Sequence, residues 1–230
     1  MAIMRAGALA GQLSGRVGGV IFSRNRGGDY VRNGPCPVNP STTYQVMVRN
    51  ALATASTRWN DVAFTYRPAW EAWAKTNPIQ NRLGETIRLQ GNAAFVALNS
   101  RLVQTGAAVV DTPPIVSSPA GLLTATGSFD IGAGSFQVAY TTTPLAAGMK
   151  LWVRGCLFTS PAIMFVKNRL RHFYTSAAAA ASPADLQATF TTWFGAPTVG
   201  QTVIFRAAVL DSANGQLSRE LECRGLVVST

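Results

Sequence analysis

Thr202-Val-Ile-Phe-Arg-Ala-Ala-Val-Leu210, followed by Ser212-Ala-Asn-Gly215 and then Glu220-Leu-Glu-Cys-Arg-Gly-Leu-Val-Val228, decides how the second half of this chain folds. The first run is rich in β-branched and aromatic residues, the second sets Leu221 and Cys223 between charged residues before Leu-Val-Val228, and both are too short for a typical helix, so each reads as a strand. The Asn-Gly pair between them supplies the positive-φ residues of a tight hairpin. Two antiparallel strands follow from these residues alone.

Working outward, Ser135-Phe-Gln-Val-Ala-Tyr140 and Lys150-Leu-Trp-Val-Arg-Gly-Cys156 repeat the strand pattern, again separated by turn residues. The alanine run at 177–181 with Ser182-Pro-Ala-Asp185 reads as a loop leading into a short helical turn through Trp193. Several strands with regular punctuation over residues 120–230 predict an antiparallel β-sandwich of immunoglobulin-like or fibronectin III-like type. Ahead of it, Asp111-Thr-Pro-Pro-Ile-Val-Ser-Ser-Pro119 reads as an extended linker, 111–119, and a domain boundary.

The period changes in residues 40–110. Asn39-Pro40 offers an N-cap and a first-turn proline, and Tyr44, Val48, Leu52, Ala55 and Trp59 recur at helical spacing. Pro68 opens a shorter helix carrying Trp70 and Trp73, which Asn77-Pro78 ends. Asn92 caps a third, with Phe95, Leu98 and Leu102 on one face and Gly106 closing it; residues 81–89 between them read as extended. Trp59, Trp70, Trp73 and Phe95 are the candidate core of this small three-helix region and its anchor.

Residues 1–39 hold eight glycines and five arginines. Strand-like pieces at 17–23 and 29–32 flank Asn25-Arg-Gly-Gly28, giving a small hairpin or an extended arm. A segment this rich in glycine has few side chains to bury and much backbone entropy to lose, so it orders against something else. Arg16, Phe22, Arg24, Arg26, Tyr30 and Arg32 are the candidate contact residues. Guanidinium forks suit carboxylates on a protein surface or phosphates on a nucleic acid. The predicted architecture is therefore α+β: arm, helices, sandwich.

Composition narrows the function. Twenty basic against ten acidic side chains give +10 in 230 residues, and residues 1–110 carry twelve basic and four acidic of these. A single histidine, His172, excludes most general-base and metal constellations, and its basic neighbourhood from Lys167 to Arg171 would lower its pKa; it reads as a surface or interface residue. Cys36, Cys156 and Cys223 have neither disulfide nor metal spacing, although 156 and 223 both fall on predicted strands. The glycines match no phosphate-loop motif. Glu220 and Glu222, one strand face beside Arg219 and Arg224, read as a salt-bridged surface. No stretch has the length of a membrane helix, and no secretory leader is expected. Neither catalysis nor a cofactor is expected.

Three runs then show a resemblance. Gly11-x-x-Ser14-Gly15-x-x-Gly18-Gly19-Val20, Arg24-x-Arg26-Gly-Gly28-x-Tyr30-Val31-Arg32 and Pro37-x-Asn39-Pro40-x-Thr42-x-x-Gln45-x-x-x-Arg49 resemble the start of a group of small virion structural proteins of tailed phages and prophages. The similarity continues through Ala69-Trp70-x-x-Trp73-Ala74 and Asn81-Arg-Leu-Gly84 to Gly91-Asn-x-x-Phe95-x-x-Leu98-Asn99. It implies a non-enzymatic particle component made in the host cytoplasm: a capsid decoration or minor capsid protein, or a tail or neck component. Its partners would be other virion proteins in multiple copies, with nucleic acid secondary and no membrane or small-molecule substrate. A basic nucleic-acid-binding protein is the reading from another class.

Overall fold

The computed structural model describes residues 2–3, 14–25, 28–34, 39–80, 86–115, 118–163, 166 and 169–229. Arg26, Cys36, residues 81–85 and residues 116–117 of the expected linker lie outside them. The protein is α+β, with four helices and several antiparallel sheets among the described residues. It divides into two compact units, 1–43 and 44–230.

The first unit is a four-stranded sheet. Strands β1 (Ala2–Ile3), β2 (Gly15–Val17), β3 (Val20–Asn25) and β4 (Gly28–Asn33) lie in the order β1-β4-β3-β2. The strand expected over 17–23 is broken at Gly18-Gly19, where Val17 pairs with Val20 and Gly18 takes φ +58°. Only glycine adopts that angle without strain. One expected strand thereby becomes a hairpin.

In the second unit, helix α1 (Thr43–Asp61) begins three residues after Pro40. Ser41, at φ +46°, interrupts the expected start. The buried positions of α1 are Ala51 and Ala55, whereas Leu52 of the expected stripe is exposed. Helix α2 (Tyr66–Thr76) holds Pro68 in its first turn, where no intrahelical N–H partner is lost. The short strands β5 (Ile79–Gln80) and β6 (Thr86–Ile87) pair before α3 (Gly91–Gln104).

The cap of α3 is not the expected Asn92. The Gly91 N–H donates to Glu71 Oε1 of α2 at 2.8 Å, and a Cβ at 91 would stand 2.9 Å from the Glu71 nitrogen. A side chain twenty residues away thus closes one helix end onto another helix. At the other end Gly106 takes φ +75° and Ala107 N–H reaches Leu102 O, a glycine-terminated helix as expected.

Two sheets follow. β7 (Thr124–Asp130), β8 (Ser135–Thr141) and β11 (Ala184–Asp185) make one, in the order β11-β8-β7. β9 (Met149–Phe158), β10 (Arg171–Ala178), β12 (Thr202–Asp211) and β13 (Leu221–Leu226) make the other, in the order β10-β9-β12-β13. Helix α4 (Gln187–Phe194) follows β11 and carries Trp193, as the expected helical turn does. Both sheets contribute to one hydrophobic cluster, which includes Phe136 and Val138 from the first, Leu151, Val153 and Phe205 from the second, and Phe190 from α4.

β9 and β12 read as continuous apolar runs because they are buried on both faces. Val203, Phe205 and Val209 enter the shared cluster, while Ile204, Ala208 and Leu210 on the opposite face are also buried. Val166 and Leu170 pack with Cys156, Phe158 and Ile204 there. Cys156 pairs in register with Ile204, and Cys223 with Phe205. Adjacent residues of β12 face opposite ways, so the two thiols lie on opposite faces with a strand between them and cannot bond. Burial pushes both thiols up to about 11.

Residues 111–115 do not lead out of the helical region as a free linker. The Arg58 guanidinium grips Asp111 with two bonds, at 2.6 and 3.0 Å, and the Trp70 indole N–H donates to the Asp111 carbonyl at 2.7 Å. Just before it, buried Asn99 holds Val110: the Val110 N–H donates to Asn99 Oδ1 at 2.7 Å, and Asn99 Nδ2 donates to Val110 O at 3.1 Å. The helices and the two sheets accordingly belong to one unit. Replacing Asn99 by alanine leaves two backbone groups of Val110 without these partners and should cost about 2 kcal/mol by denaturant unfolding; a loss under about 0.5 kcal/mol would show the pairing to be dispensable.

Candidate assembly surface

Strand register sorts the arm residues onto two faces. Ile21 pairs with Arg32 and with Arg16, and Ser23 pairs with Tyr30, so Arg16, Tyr30 and Arg32 share one face. Phe22 opposite Val31 and Arg24 opposite Asp29 share the other. The arginines therefore do not form the single stripe that their sequence spacing allows. Arg16 Nε donates to Gly18 O at 2.8 Å, which fixes it over the hairpin turn, and Arg24 stands 3.7 Å from Asp29.

None of residues 14–24, 29–34 and 39–43 is buried. Val17 is 72% exposed, and Val20, Ile21, Phe22, Tyr30 and Val31 are only partly covered. Each face of the sheet carries apolar and cationic side chains together. The end strands β1 and β2 present edges to which further strands can add.

The aromatic group of the helices is packed inward. Trp70 and Phe95 are buried with ring centroids 5.3 Å apart, Trp59 lies 5.2 Å from Phe95, and Trp73 lies 5.8 Å from Trp70. These four are brought together as a core, so Trp70 and Phe95 have no face left for a partner. What the helices present instead is Phe64, 81% exposed at the α1–α2 turn, in a groove with Trp59, Arg67 and Pro68. Sequence reading passed over Phe64 because it belongs to no periodic stripe.

His172, expected at the surface or an interface, is 7% exposed and held within the protein. Its ring stacks on Trp152 with centroids 3.4 Å apart and planes 9° from parallel. Nδ1 lies 3.2 Å from the Val153 carbonyl, which can only accept, so Nδ1 carries the proton and Nε2 accepts from Thr175 Oγ1 at 3.1 Å. Burial lowers its pKa to about 4, with a smaller contribution from Arg154. Both ring nitrogens are occupied by the protein itself. Among the described residues no three His, Cys, Asp or Glu side chains gather as a metal site, and no helix is long and apolar enough to cross a membrane.

The acidic pair is salt-bridged, as expected. Glu220 accepts from Arg154 at 2.9 Å and lies 3.7 Å from Arg206, while Glu222 accepts from Arg206 at 2.8 Å. These arginines stand on strands β9 and β12. Cross-strand neighbours on one face meet where residues adjacent in sequence point apart. Compared with protein-family models, with curated proteins and with solved structures, the chain finds no match.

Proposed function

We propose that this chain is a non-enzymatic structural component of a tailed-phage virion, a capsid decoration or minor capsid protein, anchored through its N-terminal sheet. The carrying observation is that sheet itself: four strands with β1 and β2 at its ends, and none of residues 14–24 and 29–34 buried. A sheet with partly exposed apolar side chains gains stability when a neighbour covers a face or extends an edge. In a particle of many copies, individually weak contacts of this kind add up through avidity. A tail or neck position uses the same anchoring.

The body then serves as a displayed domain. Its strands divide three and four, with β7-β8-β11 in one sheet and β13-β12-β9-β10 in the other, a distribution that supports the immunoglobulin-like or fibronectin III-like reading. The cluster linking Trp59, Trp70, Ala94 and Phe95 supports reading α1 to α3 as its small helical base.

Arg16, Tyr30 and Arg32 on one face favour nucleic acid as the second reading. Salt separates the two. A protein that neutralises six or more phosphates loses about 10³-fold in affinity between roughly 50 and 200 mM salt. Co-sedimentation with intact phage particles should persist over that range and be insensitive to added DNA. Steep loss of binding, with competition by DNA, would transfer the arm to the nucleic-acid reading.

A further inference from the structure

Residues 131–184 contain no Asp or Glu, yet they carry Lys150, Arg154, Lys167, Arg169 and Arg171. Arg154 is neutralised by Glu220 across the sheet. Arg169 and Arg171 stand instead where the chain enters β10, the end strand of its sheet, and both line a cavity of about 400 Å³ together with Cys156, Leu157 and Phe194. That volume lies in the range of small-molecule sites. No carboxylate is among its described lining residues.

Each of the two guanidiniums is seated on an aromatic ring. Arg169 Cζ lies 5.8 Å from the Phe158 ring centroid, and Arg171 Cζ lies 5.9 Å from that of Tyr44. Such stacking positions the planar group and uses none of its N–H donors. Neither forms an ion pair with a carboxylate among the described residues, in contrast to Arg58, Arg154 and Arg206. The Cys156 thiol, pushed up to about 11 by burial, stays neutral and adds no negative charge, and Glu222, the carboxylate that acts on it, is held by Arg206 at 2.8 Å. Two cations thus border one cavity with no lining anion to balance them. We infer that this cavity binds a phosphate monoester with an aromatic or apolar group, its phosphate between Arg169 and Arg171 and its apolar group against Leu157 and Phe194. A monoester carries a charge of about −1.5 to −2 at pH 7, which matches two guanidiniums better than the single charge of a carboxylate or a phosphodiester. Guanidinium forks also fit phosphate oxygens bidentately. The inference concerns residues 44–230 alone and does not rest on the virion reading.

The test is calorimetric titration of the full chain, at about pH 7.5 and fixed ionic strength, with phenyl phosphate, phenyl sulfate and inorganic phosphate. Phenyl sulfate keeps the ring and the tetrahedral head but carries a single negative charge, and inorganic phosphate lacks the ring. Phenyl phosphate should bind about fivefold or more tightly than phenyl sulfate, and about threefold or more tightly than inorganic phosphate. Arg169→Gln and Arg171→Gln should each weaken phenyl phosphate binding about fivefold or more. Arg88→Gln, at an exposed arginine outside the cavity, should leave it unchanged, and all three variants should keep the unfolding transition of the natural chain. Equal affinity for the phosphate and sulfate esters, inorganic phosphate binding as tightly as the ester, no heat from phenyl phosphate, or a loss as large in Arg88→Gln as in the two cavity variants would each overturn the assignment.

Discussion

Phe205→Ala is expected to lower the unfolding free energy by about 3–5 kcal/mol, the usual cost of emptying a buried aromatic site. Phe205 is fully buried on β12, and its ring centroid lies 5.2 Å from Phe129, 5.9 Å from Phe136, 5.4 Å from Phe173 and 5.5 Å from Phe190. Those four rings come from β7, β8, β10 and α4, so this one side chain ties both sheets and the intervening helix together. The surrounding rings cannot collapse into the space without leaving their own contacts. Backbone packing reinforces the point at Gly155, where a Cβ would stand 2.7 Å from the Phe173 ring and 3.0 Å from that of Phe205. Denaturant titration of the two proteins measures the difference, and a loss below about 1 kcal/mol would mean that the cluster is not the core. Phe205→Leu, which retains most of the volume, should cost less than half as much as Phe205→Ala.

The second large effect is acid sensitivity through His172. In the unfolded chain this imidazole titrates near 6.5, and in the folded protein burial lowers it to about 4. Between those values the unfolded state binds a proton that the folded state refuses, so stability falls as pH drops from 6.5 toward 4. The accumulated loss is about 3 kcal/mol, and below pH 4 this residue adds no more. The geometry explains the refusal: a neutral ring stacked on Trp152, with Nδ1 donating to Val153 and Nε2 accepting from Thr175. Thermal unfolding from pH 7 to 4 should show a steeper decline for the natural protein than for His172→Gln. Parallel pH profiles would contradict the assignment.

The sequence disclosed elements where local pattern and tertiary environment agree. Phe95, Leu98 and Leu102 recur at helical spacing and are all buried, and the Asn214-Gly215 turn stands where Gly215 takes φ +74°. Strands β8, β9 and β12 were legible because β8 places Phe136, Val138 and Tyr140 at alternate positions, and β9 and β12 carry apolar residues on both sides of a single central arginine, Arg154 and Arg206. β7 escaped notice because Thr124-Ala-Thr-Gly-Ser-Phe-Asp130 has little apolar alternation; its Phe129 ring supplies the bulk that Gly127 and Gly225 lack. β10 escaped notice because a bulge between His172 and Tyr174 breaks its period and its end merges into the alanine run.

What remained hidden depends on residues distant in sequence. Asp111 reads locally as the start of a proline-rich linker, yet Arg58 and Trp70, 53 and 41 positions away, fix it to the helices. Glu71 carries no signal that it caps α3, nor does Asn99 that it holds Val110. His172 reads from its basic sequence neighbours as a surface or interface residue, and nothing local signals Trp152, which stacks on it. In the arm, the six candidate residues were chosen by composition; strand register then divided the described five between two faces.

Deleting residues 1–35 and following both the fold and the particle association of what remains tests the account most directly. The account predicts that the remaining chain keeps a single cooperative unfolding transition, because the helices and both sheets form one unit without the arm, and that it no longer co-sediments with phage particles that the full chain joins. A truncated protein that folds as before and still enters the particles with undiminished affinity would contradict it.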